Sequence, residues 1–317
     1  MRHGWNAVAY QILNPGMSLW FAGAGDAVAG YSTYAGVRVV AGAPVCAAER
    51  LADVAGELED DASRVGERVL YFGAGERLES LYATSAAHRL VQLGAQPVWD
   101  PAGWDGIVRG KASLRAQLHR ARNKGVRVEE WPIERARGSD ELRAVLAEWL
   151  GSRGLPPLGF MVTTELLQRG DDRRVFAALR GERPTVIGFL VATPVPARRG
   201  WLVEEWPRSS LAPNGTTHLL VDAAMRAFRD SGADYATMGL APLSQRGSRP
   251  GSPEPIWLRA TLGWLRAHGR RFYNFRGLEA FKAGFQPHAW EPIFAIGQGR
   301  RFTVRMLRAV AGVFARG

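Results

Sequence analysis

Arg174-Val-Phe-Ala-Ala-Leu-Arg180, Thr185-Val-Ile-Gly-Phe-Leu-Val-Ala-Thr-Pro194 and Gly200-Trp-Leu-Val-Glu-Glu-Trp206 follow one another with only a few turn residues between them. Short β-branched and aromatic runs bounded by Gly, Pro and charged residues predict three strands at hairpin spacing. Upstream, residues 140–152 predict a helix with Ser139 as its N-cap. Downstream, Thr216 to Ser231 predicts a second helix and Tyr235 to Leu240 a further strand. Helix, antiparallel strands, helix, strand in that order predicts an α+β layer, a mixed and mostly antiparallel sheet flanked by helices.

The first third of the chain carries the same alternation. Strands are expected at Ser18 to Ala22, Ala27 to Tyr34 and Val37 to Ala41, then a helix at Ala47 to Arg64 with Leu51, Val54, Ala55 and Leu58 on one face. A strand at Arg68 to Phe72 and a helix around Ser80 to Leu93 follow. At 317 residues the chain exceeds the roughly 150 residues of one domain. Two units are therefore expected, 1–130 and 131–299, with a linker near Glu129 to Ser139 and a basic amphipathic helix over 300–317. Arg246 to Pro255, rich in Gly, Pro and Ser, reads as a binding loop or a plain connector.

Charge narrows the partners. Lys and Arg number 41 against 30 Asp and Glu, a formal charge of +11 that favours polyanions such as nucleic acid or anionic lipid. The single cysteine, Cys46, excludes an internal disulfide and a multi-thiolate zinc site, fits a reducing, cytoplasmic compartment, and reads as a buried structural thiol. No run reaches the ~18 apolar residues of a membrane span, and Met1 to Trp20 is broken by Asn6, Gln11, Asn14 and Pro15, so it reads as part of the fold. A Gly-x-Ser-x-Gly elbow, a phosphate-binding Gly-Lys-Ser/Thr loop and a His-Glu-x-x-His helix are all missing, so hydrolase, nucleotidase and metalloprotease chemistry is not expected. No metal and no cofactor is expected. His88, His119 and His218 fall on predicted helices, in packing or surface roles.

Four segments remain as candidates for binding and chemistry. Lys111, Arg115, Arg122 and Lys124 concentrate positive charge on one predicted helix, which serves either as a phosphate track or as a solvated face. A second basic cluster, including Arg270, Arg271 and Arg276, is interleaved with Trp257, Trp264, Phe272, Tyr273 and Phe275, as suits phosphate contact and base stacking or simply core packing. Pro213-Asn214-Gly215 turns a strand into a helix capped by Thr216 or Thr217, a potential site for an anion or oxyanion. Near the C-terminus Phe302, Met306, Val310 and Val313 share a helical face flanked by Arg301, Arg305 and Arg308, which fits either a membrane interface or packing on the protein.

Taken in order, Ala9-Tyr-Gln-Ile-Leu-Asn-Pro15, Gly42-Ala-Pro-Val45, Ser113-Leu-Arg115 with the basic helix up to Gly125, Ala212-Pro-Asn-Gly-Thr216, Met238-Gly-Leu-Ala-Pro-Leu243, Tyr273-Asn-Phe-Arg-Gly-Leu-Glu-Ala-Phe-Lys-Ala-Gly-Phe-Gln-Pro287 and Trp290-Glu-Pro292 resemble the soluble catalytic region of the phosphatidylglycerol lysyltransferase family across nearly the whole chain. The resemblance implies two tandem acyltransferase-type, GNAT-like domains of the kind shared with peptidoglycan-bridge aminoacyltransferases. It implies aminoacyl-tRNA as donor, phosphatidylglycerol or a related membrane-surface acceptor, and a place at the inner face of the membrane. The family's acid-x-x-Arg pair falls on Glu205 and Arg208 and its late lysine on Lys282, with Asn214, Gly215, Thr216, Tyr273 and Asn274 as substrate-binding positions. Lys111, Arg115, Arg122, Lys124, Arg270 and Arg271 are the corresponding tRNA-binding candidates, and Arg301, Phe302, Arg305, Met306 and Arg308 the membrane candidates. Glu205 stands where the family pattern carries Asp, and the resemblance does not extend to a membrane-spanning flippase half.

The chemistry asked of these residues is modest, because an aminoacyl ester is already activated. Positioning, removal of one proton and stabilisation of an oxyanion suffice. Three alternatives remain open: the same donor with a soluble acceptor, an acyl-CoA-dependent transferase, and a non-catalytic tRNA- or lipid-binding module.

Overall fold

The computed structural model describes residues 1–152, 167, 171–247 and 275–315. Strands β1 (Ser18–Phe21), β2 (Val28–Tyr34) and β3 (Val37–Ala41) form an antiparallel meander. Helix α1 (Leu51–Arg64) buries Leu51, Val54, Ala55 and Leu58 against the sheet, and β4 (Arg68–Ala74) returns parallel to β3. Helix α2 (Glu76–Tyr82) is short, and the helix expected to run on to Leu93 is instead strand β5 (His88–Trp99). The reason is position: β5 is hydrogen-bonded on both edges, so its sequence lacks the alternation that marks a half-exposed strand. His88 consequently leaves its expected helix and joins a buried network on Glu59, which accepts from Tyr82 Oη at 2.6 Å and Tyr71 Oη at 3.0 Å and lies 3.1 Å from His88 Nε2.

Helices α3 (Trp104–Gly110) and α4 (Ala112–Asn123) lead to strand β6 (Val126–Trp131), then α5 (Ile133–Gly138) and α6 (Asp140–Gly151). Ser139 caps α6 as expected, its Oγ accepting from Leu142 N–H at 3.2 Å. Residues 129–139 are not a linker. β6 pairs along β7 (Arg174–Arg180), and Trp131 and Ile133 are buried on either side of Pro132, which serves as the N-cap of α5. The chain continues through β8 (Thr185–Val195), β9 (Gly200–Glu205), α7 (Thr216–Asp230), β10 (Tyr235–Thr237), β11 (Ala241–Pro242), α8 (Phe275–Ala283), β12 (Ala289–Gln298) and α9 (Val304–Ala315).

The two halves repeat one motif. β1-β2-β3, α1 and a parallel β4 correspond to β7-β8-β9, α7 and a β10 parallel to β9. This is the tandem, GNAT-like α+β arrangement. The described strands join in one mixed sheet of order β1-β2-β3-β4-β12-β5-β10-β9-β8-β7-β6, with β11 on β5. The centre is stitched by β12, which lies antiparallel between β4 and β5, and by the pairing of β5 with β10.

The C-terminal helix corrects one expectation. Phe302 and Met306, assigned to a membrane face, are 5% and 1% exposed and pack with Val39 and Leu70 of the first half and Ala295 of β12. Gly297 lies directly beneath Met306, where a Cβ would fall 2.9 Å from its sulfur. An apolar helical face is covered wherever a sheet is available to cover it, and only Arg301, Arg305, Arg308 and their neighbours remain outside. Phe302→Ala is therefore expected to cost about 3 kcal/mol in a urea titration, as a core truncation does. Unchanged stability with weakened vesicle binding would restore the membrane assignment. Among the described residues no helix is long and apolar enough to cross a membrane.

Candidate functional site

The last residues of β9 depart from regular pairing. Val203 faces Ala192 and Glu205 faces Val191, so Glu204 is an extra residue, a bulge that re-aims the strand end. Beyond it the chain stays beside β8, with Phe189 N–H donating to Pro207 O at 2.9 Å and Ser209 N–H donating to Ile187 O at 3.0 Å. Gly188 allows this approach, since a Cβ there would lie 3.1 Å from Pro207 O and 3.2 Å from Arg208 Cβ. Glu205 and Arg208 are thus three residues apart on extended chain. Glu205 is half-buried and Arg208 is exposed.

Lys282 projects from α8 into the protein and is 2% exposed. Its Nζ donates to Gly239 O at 3.0 Å and Leu240 O at 2.8 Å, the carbonyls that follow the short β10. Burial pushes its pKa down to about 7, while the negative charge of Glu205 acts in the opposite direction. A neutral amine has two N–H groups and one lone pair. With both N–H groups given to carbonyls, the remaining position can hold a proton or accept one near neutral pH.

The Asn214-Gly215-Thr216 turn is built differently from expectation. Gly215 is the N-cap of α7, at φ +96°, and Thr216 does not cap: its hydroxyl and its N–H both donate to Pro213 O, at 2.7 and 3.1 Å. A Cβ on Gly215 would lie 2.2 Å from Gln117 O, so the turn is seated on the backbone of α4. Asn214 is exposed. In the first turn of α7, His218 is half-buried with its ring centroid 5.4 Å from Phe281 and 5.1 Å from Phe285, and burial lowers its pKa. Trp206 lies 6.0 Å from Phe281. These aromatics escaped the sequence reading because they come from three distant segments; the available signal was that Trp206 adjoins Glu205 and Phe281 adjoins Lys282.

The basic stripe on α4 is only partly free. Arg115 Nη1 donates to Val108 O at 3.3 Å and to Arg109 O, closing the end of α3. Arg122 pairs with buried Asp222 at 3.1 Å, which also accepts from Trp104 Nε1 at 2.9 Å and from Arg226. Lys111 is half-buried, and His119, Arg120 and Lys124 are exposed. Arg270, Arg271, Tyr273 and Asn274 lie outside the described residues, as does most of the 246–255 loop. Cys46 is buried and its pKa is pushed up to about 11 by that burial, as fits a structural thiol. Among the described residues, no group of three or more His, Cys, Asp or Glu side chains is arranged to hold a metal.

Residues 1–297 match the family described as phosphatidylglycerol lysyltransferase, C-terminal. The chain is similar to the phosphatidylglycerol lysyltransferase of Bacillus subtilis (strain 168), with 24% identity over 307 residues. That match covers 96% of this chain but 35% of the relative, so the chain spans about a third of that protein's length. Among solved structures it is similar to the C-terminal domain of a putative lysylphosphatidylglycerol synthetase from Agrobacterium fabrum, with a TM-score of 0.79, 23% identity and coverage of 99% of this chain and 93% of the other. It is also similar to the L-PGS of Bacillus licheniformis, with a TM-score of 0.77, 22% identity and coverage of 99% and 94%. At these identities the structural likeness shows the fold.

Proposed function

The chain belongs to the phosphatidylglycerol lysyltransferase C-terminal family, and from that premise we propose that it transfers an aminoacyl group from aminoacyl-tRNA to a hydroxyl of phosphatidylglycerol or a related anionic lipid. The observation that carries this reading is Lys282: a buried amine of pKa about 7, held by two carbonyls beside the charge of Glu205. The neutral amine takes the proton of the acceptor hydroxyl as its oxygen attacks the ester carbonyl. The tetrahedral intermediate then collapses, the bond to the ribose oxygen breaks, and Lys282 returns the proton to that oxygen. Glu205 biases the amine toward its charged form and so assists the first transfer. Exposed Arg208 contacts a substrate phosphate, and exposed Asn214, beside the positive N-terminal end of α7, contacts the reacting ester.

The donor docks along α4, on exposed Arg120 and Lys124 with half-buried Lys111 at its start and Arg122 half-exposed at its edge. Arg301, Arg305 and Arg308 on the outer side of the C-terminal segment meet the anionic leaflet at the inner face of the membrane, each contributing about 1 kcal/mol. Discharge of aminoacyl-tRNA tests the pairing of donor and acceptor. Phosphatidylglycerol vesicles are expected to accelerate protein-dependent loss of the aminoacyl ester at least ~10-fold over phosphatidylcholine vesicles, and equal rates with the two lipids would contradict the acceptor assignment.

A further inference from the structure

Trp206, His218 and Phe281 form an aromatic wall that none of the roles above uses. It rests on Phe285, which is fully buried, with Phe281 and Phe285 centroids 5.1 Å apart and nearly perpendicular. The three outer rings are only half-buried. The wall adjoins the site in sequence at each end: Trp206 follows Glu205, and Phe281 precedes Lys282. It is joined to the basic helix through α7, since Gly215 sits on Gln117 and Ala121 of α4, three residues before His218. Exposed Arg120 and Lys124 at the end of α4 and the three half-buried rings thus lie on either side of the start of α7, a path whose far ring, Phe281, precedes the buried Lys282 in sequence.

A path of that composition matches one class of ligand. Single-stranded nucleic acid is held by cations that follow its phosphates and by aromatic rings on which its bases stack, without need for a sequence-specific hydrogen-bond pattern. We propose that Trp206, His218 and Phe281 are the stacking platform for the unpaired 3′-terminal bases of the donor RNA, bringing its terminal ribose to Lys282. This rests on the aminoacyl-tRNA reading and adds which part of the RNA is recognised and where. Burial lowers the pKa of His218, which favours the neutral ring.

The test uses two uncharged RNA hairpins of the same stem, one blunt and one with a four-nucleotide unpaired 3′ tail, titrated against the whole chain by fluorescence anisotropy. The tailed hairpin is expected to bind about 10-fold more tightly. Trp206→Ala is expected to remove that preference and Trp206→Phe to keep it, while both retain the affinity of the wild type for the blunt hairpin. Equal binding of the two hairpins by the wild type would overturn the platform and leave the RNA donor standing. No binding of either would overturn the donor reading itself. A tail preference that survives Trp206→Ala, with weakened binding to phosphatidylglycerol vesicles, would reassign the wall to lipid and also overturn the platform.

Discussion

Lys282→Met is expected to lower single-turnover transfer by about 10³-fold at pH 8, the loss that accompanies removal of a positioned proton-transfer group. The wild-type rate is expected to rise as pH passes through about 7 and then level off, because the neutral amine is the form that accepts the acceptor's proton. The same ionisation leaves a signature in stability. In the unfolded chain the lysine titrates near 10.4, whereas burial holds the folded one to about 7. Between these values the unfolded state binds a proton that the folded state does not, so stability rises with pH and falls as pH drops toward 7. Over pH 7 to 8, where the unfolded thiol of Cys46 is still mostly protonated and opposes it little, the gain is about 1 kcal/mol. Lys282→Met should flatten that slope. A variant with an unchanged rate, or a wild-type rate that does not change through pH 7, removes Lys282 from the chemistry.

The second large effect concerns the turn that seats α7. Gly215→Ala is expected to destabilise the protein by about 3 kcal/mol, since alanine meets both a left-handed backbone and a carbonyl oxygen 2.2 Å from its Cβ. Gly232 supplies the control. It has φ +72° but nothing within 4 Å of the Cβ position, so Gly232→Ala should cost only about 1 kcal/mol. The difference isolates the contact between α4 and α7. Urea unfolding of the two variants measures it, and equal costs would show that the seat on Gln117 contributes nothing.

The three antiparallel strands of residues 174–205 and the Ser139-capped helix are legible because local chemistry dictates them: β-branched runs, turn residues and a cap side chain all lie within a few positions. His88 to Trp99 is not, because its strand character comes from β12 and β10, which reach it from nearly 200 and 140 residues away. β12 itself contains Pro292 and was read only as a motif. At the site, the resemblance drew attention to Glu205, Arg208 and Lys282, and the Coulombic influence of Glu205 on Lys282 brings two of them together. That Lys282 is buried could not be read from Phe281-Lys-Ala283 on an amphipathic helix, where a lysine ordinarily faces water. Thr216 is not the cap its position after Gly215 suggests, since its hydroxyl finds Pro213 O once Gly215 adopts positive φ. For Phe302 and Met306 the periodicity was right and the occupant of the face was wrong: the sheet of the first half covers it.

The most direct test of the central claim is transfer of radiolabel from a mixed pool of charged aminoacyl-tRNA, incubated with the purified protein and phosphatidylglycerol vesicles, into a lipid extract. The account predicts protein-dependent label in the lipid fraction that disappears when the tRNA is first digested with ribonuclease. Label recovered only in a water-soluble product, or no protein-dependent loss of label from the tRNA, would contradict it.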